Sequence, residues 1–312
     1  MIPYVRDLSF EYGRVDEVSP LIRRVIANNP GPFTYLGTGT YIIGHGEVAV
    51  VDPGPDMADH LKAILAAIAG ERVTHILITH HHSDHSPLAR PLAEATGSVI
   101  YGCAVATKPV EGAIKLEAGY HDFTPDISVC GGAIIEGAGW TVEAIPTPGH
   151  TSNHICYALK QENSLFSGDH IMGWSTTVIT PPDGDMGDYL ASLELIKARN
   201  FDTLWPTHGP PVRERNLSTL WPTHGPPIRE TRPFIDAYID HRRDRERQIL
   251  ERLAAGDTRI KAMVPTIYAA VDPRLHPAAA HSVLAQMIEL VKSGRVTTDG
   301  QPGLDAEYRL AG

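Results

Sequence analysis

The stretch Thr79-His80-His81-His82-Ser83-Asp84-His85 decides how this chain is read. It places His80, His82, Asp84 and His85 within six residues, directly after the apolar run 73–78. Imidazole and carboxylate are the ligand types that suit zinc and its neighbours. A strand that ends and releases four such groups into one loop can surround a metal with little help from distant parts of the chain. The competing interpretation is a chance surface cluster in a chain that holds 16 histidines. Position at a strand end, and partners further along, argue for the metal.

Upstream, residues 40–43 and 48–51 are β-branched or aromatic runs separated by Gly44-His45-Gly46-Glu47, a hairpin signal. The second run stops at Asp52-Pro53-Gly54-Pro55, which leaves Asp52 at a strand tip. Residues 57–69 carry Leu61, Ile64, Leu65 and Ile68 at helical spacing, and Gly70 ends them. Strand, helix and strand feeding a ligand-bearing loop is an α/β layout with its site at strand ends.

Downstream the logic repeats. A helix-like segment 88–95 precedes a short strand at 99–101. Residues 141–145 read as a strand closed by Pro146-Thr147-Pro148-Gly149-His150-Thr151, which puts His150 on a tight turn. Residues 154–159 and 164–166 read as a hairpin running into Ser167-Gly168-Asp169-His170, with Asp169 again just past a strand. A helix with Leu190, Leu193 and Ile196 on its stripe follows, then Thr203-Leu204-Trp205-Pro206-Thr207-His208-Gly209.

That last strand lies in a tandem copy of sixteen residues. Residues 199–214 and 215–230 differ only at Phe201/Leu217, Asp202/Ser218 and Val212/Ile228, so the chain offers one histidine twice, as His208 and His224. One repetition is too few for a solenoid. It is either a silent insertion, which loops tolerate cheaply, or a change to the rim of the site.

From Thr231 onward the pattern becomes helical at 234–253, 260–271 and 277–291, ending in a small hairpin around 294–296 and 308–310. Three helices and a hairpin outline a winged helix. This tail holds twelve basic and eleven acidic residues and has no Lys/Arg stripe; the preceding residues, with fifteen basic against twenty-six acidic, carry −11 of a net charge of −10. An acidic body with a neutral tail disfavours a nucleic-acid partner. Packing, dimerisation or covering the site is the use these charges predict for the tail. At 312 residues, the chain is read as two domains, 1–230 and 231–312.

No run approaches the ~18 apolar residues of a membrane span. The opening Met1-Ile2-Pro3-Tyr4-Val5-Arg6-Asp7 does not have the form of a signal peptide. Cys103, Cys130 and Cys156, odd in number and widely spaced, read as free or buried thiols in a reducing cytoplasm.

Taken together, His80-x-His82-x-Asp84-His85, His150, Asp169 and a final His208 or His224 resemble the motif set of the metallo-β-lactamase-fold hydrolases. The resemblance is closest to the lactamase-beta-2-like branch with its C-terminal winged helix. It is carried also by Asn29-Pro30-Gly31-Pro32-Phe33-Thr34, Thr147-Pro148-Gly149-His150-Thr151, Trp205-Pro206-Thr207-His208-Gly209-Pro210 and the opening of the tail near His241-Arg242-Arg243. It covers nearly the whole chain except the extra copy. It implies an αββα sandwich with two zinc ions, or other divalent metals, between two sheets. One metal is implied to take His80, His82 and His150. The other takes Asp84, His85 and the final histidine, with Asp169 bridging both. Asp84 is implied to orient a catalytic water or accept its proton; Asp52, His154 and His170 are expected to support ligands rather than bind metal.

Three departures stand out. His81 sits where relatives often carry an aromatic, which predicts an extra imidazole lining the pocket. Gly39 stands where an Asn is common, which puts one polar contact in doubt. The tandem copy leaves the last ligand open, with a lean to His208 on position. The function expected from all this is a zinc-dependent hydrolase of a small acyl compound, an ester, lactone or amide, β-lactams included. The alternatives are a metal-dependent endoribonuclease acting on single-stranded RNA and, further off, a DNA-binding regulator. A small-molecule substrate, no membrane association and a homodimer complete the expectation.

Overall fold

The structure is a computed structural model, and it describes residues 2–104, 123–213 and 231–312. The chain first builds a seven-stranded sheet from β1 (Val15–Glu17), β2 (Ile22–Ile26), β3 (Gly39–Ile43), β4 (Glu47–Val51), β5 (Arg72–Leu77), β6 (Val99–Gly102) and β7 (Ile127–Ser128). Its strands lie side by side in sequence order, antiparallel as far as β4 and parallel from there on. The switch follows from the connections. A three-residue turn joins β3 to β4, while α1 (Ala58–Ala67) and α2 (Ala89–Thr96) provide the crossovers that parallel neighbours need.

A second sheet of six strands follows: β8 (Ala133–Gly137), β9 (Trp140–Pro146), β10 (Ile155–Leu159), β11 (Ser164–Gly168), β12 (Thr203–Pro206) and β13 (Val212–Arg213), again in sequence order. Helix α3 (Met186–Arg199) crosses over between β11 and β12, which pair in parallel. Its first turn is capped by Asp185, whose carboxylate accepts from the backbone N–H groups of Gly187 and Asp188 at 2.8 and 3.1 Å.

The central strands are covered on both faces, which explains why β3, β4, β10 and β11 are buried along nearly their whole length rather than alternating. In β4, Ala49 and Val51 face the other sheet and, with Tyr41 of β3, share a core with its Trp140, Tyr157 and Phe166. Val48 and Val50 face outward against Ile64 of α1 and Leu92 of α2. In β10, Tyr157 points between the sheets and Ala158 points outward to the layer containing Tyr189 and Leu193 of α3. The result is the helix–sheet–sheet–helix sandwich that the sequence predicted.

The remaining chain forms α4 (Thr231–Ala254), α5 (Ile260–Ile267), α6 (His276–Lys292), β14 (Val296–Thr298) and β15 (Tyr308–Leu310), the last two paired antiparallel. Helix α4 belongs to two cores at once. Phe234, Ile235, Tyr238 and Ile239 pack on the outer face of the second sheet beside α3. Further along, Ile249 and Leu253 pack with Met263, Val283 and Met287 in the core of the C-terminal unit.

The reading of the cysteines is corrected. Cys103 and Cys130 are joined in a disulfide, and only Cys156 is free and buried, with its thiol pushed up to about 12 by burial. The reason is tertiary. The parallel pairing of β6 with β7 sets Tyr101 opposite Ile127 and Gly102 opposite Ser128, which brings the residues just beyond them together. Cysteine spacing alone does not reveal such a pairing, and the argument from free thiols to a reducing compartment loses its basis. Among the described residues, no helix is long and apolar enough to cross a membrane.

Candidate metal centre

The residues singled out in the sequence converge where strands end. His80, His82, Asp84 and His85 leave the tip of β5; His150 occupies the turn between β9 and β10; Asp169 follows β11; and His208 follows β12. Their ligand atoms form three overlapping groups: His80, His82 and His150; His80, His85 and Asp169; and Asp84, His85 and His208. Within each group every ligand atom lies within 4.8 Å of the others. Asp169 reaches both ends of the cluster. Its carboxylate oxygens lie 3.5 Å from His85 Nε2, 3.8 Å from His150 Nε2 and 3.6 Å from His208 Nε2. Asp84 lies 3.1 Å from His208 Nε2 and 3.6 Å from His85 Nε2.

Each ring is turned by a partner on its far side. His85 Nδ1 donates to Asp52 at 2.9 Å, and His80 Nδ1 to Thr79 Oγ1 at 3.0 Å. His150 Nδ1 donates to the Val178 carbonyl at 2.7 Å, and His208 Nδ1 to the Gly37 carbonyl at 3.2 Å. With Nδ1 carrying the proton, Nε2 presents a lone pair to the centre in all four. His82 presents Nδ1 instead, 3.3 Å from His150 Nε2.

These inward atoms supply the test of fit. His80 Nε2, His85 Nε2, His208 Nε2, Asp84 Oδ1 and Asp169 Oδ1 are buried and accept or donate no hydrogen bond. Buried polar atoms left without partners are costly, and five of them aimed at one place is the arrangement that cations would satisfy. Imidazole and carboxylate together match zinc or a similar divalent ion. The electrostatics agree. Burial, reinforced by neighbouring imidazoles, pushes His80 and His82 well below the usual histidine range, so both are neutral imidazoles. Burial also opposes charge on His85, but Asp84, Asp169 and Asp52 outweigh it and drive that ring well above its usual value. Asp84 falls to about 2 because His85 and His208 overcome the upward push of burial. A cluster that draws a proton onto His85 in the absence of metal is one from which a cation would displace that proton.

Asp52 ties the ligand segments together. It adopts a left-handed backbone conformation with φ of 46° at the end of β4 and is fully buried. Its Oδ2 accepts from Thr79 Oγ1 at 2.7 Å, His85 Nδ1 at 2.9 Å and Thr207 Oγ1 at 3.0 Å, while Oδ1 accepts from Thr79 N at 2.8 Å. One carboxylate thereby fixes the residue before His80, the residue before His208 and His85 itself. His154 has a comparable role toward Asp169: its Nε2 accepts from the Asp169 backbone N–H at 3.2 Å, and its other nitrogen meets Thr147 Oγ1 at 2.9 Å. His170 packs edge-on against Tyr189, 5.1 Å between ring centroids, and belongs to none of the three ligand groups.

Of the two copies in the tandem repeat, the first forms β12 and β13 and delivers His208 to the cluster. His224 lies outside the described residues. Gly39 accounts for part of this delivery. Its N–H donates to the Thr207 carbonyl at 2.8 Å, and a Cβ at position 39 would stand 3.2 Å from that same oxygen. The expectation for His81 fails: it does not line the cavity. The ring turns inward to Asn153, whose Oδ1 lies 3.0 Å from His81 Nδ1 and whose amide also donates to the Cys103 carbonyl at 2.8 Å.

A cavity of about 210 Å³ opens from His82, Asp84, His150 and Asp169. One wall is the segment 172–178, held by α4: Tyr238 bonds to Met172 and Ser175, and Arg242 donates to the Thr177 carbonyl. Trp174 in that segment stacks on Tyr35 at 4.8 Å. The opposite wall comes from the C-terminal unit, with Tyr268, Val271, Leu275 and Ala279. The sequence suggested covering the site as one use of the tail, but it did not single out these residues, and it named Arg242 only within His241-Arg242-Arg243, with no role at the site. Their only signal was the apolar spacing of α5 and α6, which reads equally well as internal packing.

Residues 35–208 match the model of the metallo-beta-lactamase superfamily, and residues 260–305 match that of the beta-lactamase associated winged helix domain. A beta-lactamase-like protein 2 homolog of Caenorhabditis elegans is 31% identical over 292 residues, which span 90% of this chain and 88% of that one. An atrochrysone carboxyl ACP thioesterase of Aspergillus fumigatus is 30% identical over 272 residues, 84% of this chain and 76% of that one. Among solved structures, a beta-lactamase domain protein from Burkholderia ambifaria superposes with a TM-score of 0.73, covering 98% of this chain and 96% of its own, at 18% identity. By its ligand motifs, its sandwich and these matches, the chain belongs to the metallo-beta-lactamase superfamily, and its tail is the winged helix associated with it.

Proposed function

We propose that this protein is a dinuclear zinc-dependent hydrolase of small acyl compounds: esters, thioesters, lactones or amides. The observation that carries the reading is the set of five buried ligand atoms left without hydrogen-bond partners around one point. His80, His82 and His150 would hold one cation, and Asp84, His85 and His208 the other, with Asp169 shared. Divalent cations held there supply Lewis acidity that polarises a carbonyl and lowers the pKa of water toward neutrality.

The chain's own residues do the rest. Asp84 lines the cavity, is held ionised at neutral pH, and keeps Oδ1 free of any donor, so it can take the proton of the attacking water. That proton then leaves with the departing alcohol, thiol or amine as the acyl carbon gains the water oxygen. Asp52 and His154 keep the ligands aimed and touch no reacting atom. A thioester enters the substrate class through the Aspergillus fumigatus relative, which is named as a thioesterase. A cavity of about 210 Å³ lies below the usual range for whole-ligand sites, about 300–1,000 Å³, which supports a small acyl group as its occupant. The net charge of −10 likewise supports small acyl substrates over RNA.

The test is metal analysis of the purified protein, followed by a hydrolysis screen before chelation, after chelation and after zinc is restored. Esters, thioesters, lactones, a β-lactam and single-stranded RNA are the substrates. Hydrolysis of an acyl substrate that disappears with chelation and returns with zinc is the expected result. Acyl hydrolysis untouched by chelation, or cleavage of RNA alone, would overturn the reading.

A further inference from the structure

The cavity has a feature that hydrolysis by the metal centre does not use. Arg242, on α4, lines the cavity and is only 4% exposed. Its guanidinium donates to the Thr177 carbonyl and lies 5.2 Å over the ring of Tyr189. Its Nε is buried and has no hydrogen-bond partner. No carboxylate pairs with it among the described residues, whereas the neighbouring Arg243 pairs with Glu194 and Arg252 with Asp257. A buried cation without an anion is costly, several kcal/mol before compensation, and a carbonyl and a ring face return only part of that. The two acidic groups on the cavity wall, Asp84 and Asp169, belong to the metal cluster. The same cavity is lined by the apolar side chains of Phe33, Met172, Tyr268, Val271 and Leu275.

We propose that Arg242 is a specificity residue that pairs with an anionic group on the substrate. The protein then prefers acyl compounds whose acyl chain ends in a carboxylate, with the apolar stretch of that chain lying against the C-terminal wall. The proposal rests on the hydrolase reading for the identity of the cavity as the acyl site. The arrangement divides labour. The metal centre takes the scissile carbonyl, the α5–α6 wall excludes water from the methylenes, and the guanidinium completes its coordination with the terminal anion. Bidentate pairing of guanidinium with carboxylate gives direction as well as energy. It also gives the C-terminal unit a part in substrate choice, since α4 carries the arginine and α5 and α6 the apolar wall.

The test measures binding, which does not depend on turnover. Zinc-loaded protein is titrated by calorimetry with linear dicarboxylates from succinate to sebacate, each beside the monocarboxylate of equal length. Both members of a pair can place one carboxylate at the metals, and only the dicarboxylate reaches Arg242. At one optimal length the dicarboxylate is expected to bind at least tenfold more tightly. Arg242→Gln should remove that advantage and leave the monocarboxylate Kd within about threefold, while Arg242→Lys should retain part of it. Equal affinities across every pair in the unaltered protein would overturn the proposal, and that arm needs no variant to fold. An advantage that persists in Arg242→Gln would also overturn it, as would an equal loss for both ligands, which marks Arg242 as a support for the 172–178 segment only. If the dicarboxylate advantage holds while no ester or thioester is hydrolysed, the anion site stands and the hydrolase reading falls.

Discussion

Replacing Asp52 with Asn isolates what one buried carboxylate contributes to the centre. The left-handed conformation at this position, φ of 46°, is one that Asn tolerates better than most residues, so the backbone is not the variable. The donors are. Asp52 faces three donors at Oδ2 and one at Oδ1. An amide can turn its oxygen to the first set, but its NH2 then confronts the Thr79 N–H; turned the other way it opposes three donors. The better orientation still leaves one buried donor unmet, about 1–3 kcal/mol, and exchanges charge-assisted bonds for neutral ones. We expect the metal-free variant to lose about 2–4 kcal/mol in urea unfolding. Zinc affinity, read by competition with a chromophoric chelator, should fall roughly 10–100-fold because the charged partner that orients His85 becomes a neutral amide oxygen. A variant that binds zinc within about threefold of the parent, with stability within about 0.5 kcal/mol, would refute the assignment of Asp52 as the anchor of the ligand segments.

His208→Ala should remove about half of the bound metal and abolish hydrolysis, while His224→Ala should keep both; metal-to-protein ratios decide, and equal losses in the two variants would sink the choice of His208. His60 gives a pH prediction. It is buried behind β3 against Thr40, and burial holds it at about 4, below the ordinary 6.5, so the folded state binds the fewer protons. Its contribution is present above about pH 6.5 and is lost as pH falls toward 4, at most about 3 kcal/mol in all. Unfolding free energies of the parent and His60→Gln should converge across that window, and a constant gap between them would count against it.

Legibility in the sequence followed the range of the interactions. The runs 48–51 and 73–78 were readable because each strand is apolar on both faces, and because the groups that follow them sit at strand tips. The cluster was readable for the same reason: one loop holds four of its members, and the others each follow a strand or occupy a tight turn. Strand β2, Ile22-Arg23-Arg24-Val25-Ile26, was not, since its two arginines break the apolar pattern. Both are satisfied by tertiary ion pairs, to Glu71 at 2.7 Å and Asp16 at 3.7 Å. The disulfide was misread because its two cysteines become neighbours only through parallel strand pairing. The place of Arg242 and of the far wall at the cavity went unread because α4–α6 look, residue by residue, like helices packing on one another.

Helix α4 has a consequence for how this protein can be inherited or rebuilt. Its first half is a structural part of the sandwich and its second half of the C-terminal unit, with Tyr238 and Arg242 fastening the cavity wall between. A recombination junction placed before Thr231 would strip Phe234, Ile235, Tyr238 and Ile239 from the outer face of the second sheet, leaving that face greasy and open. A crossover between relatives preserves both cores only if it falls within the helix, after the sandwich contacts end and before Ile249. The tail is therefore exchangeable only at a junction inside α4, and an exchange there would carry Tyr268, Val271, Leu275 and Ala279 of the cavity wall with it as one block.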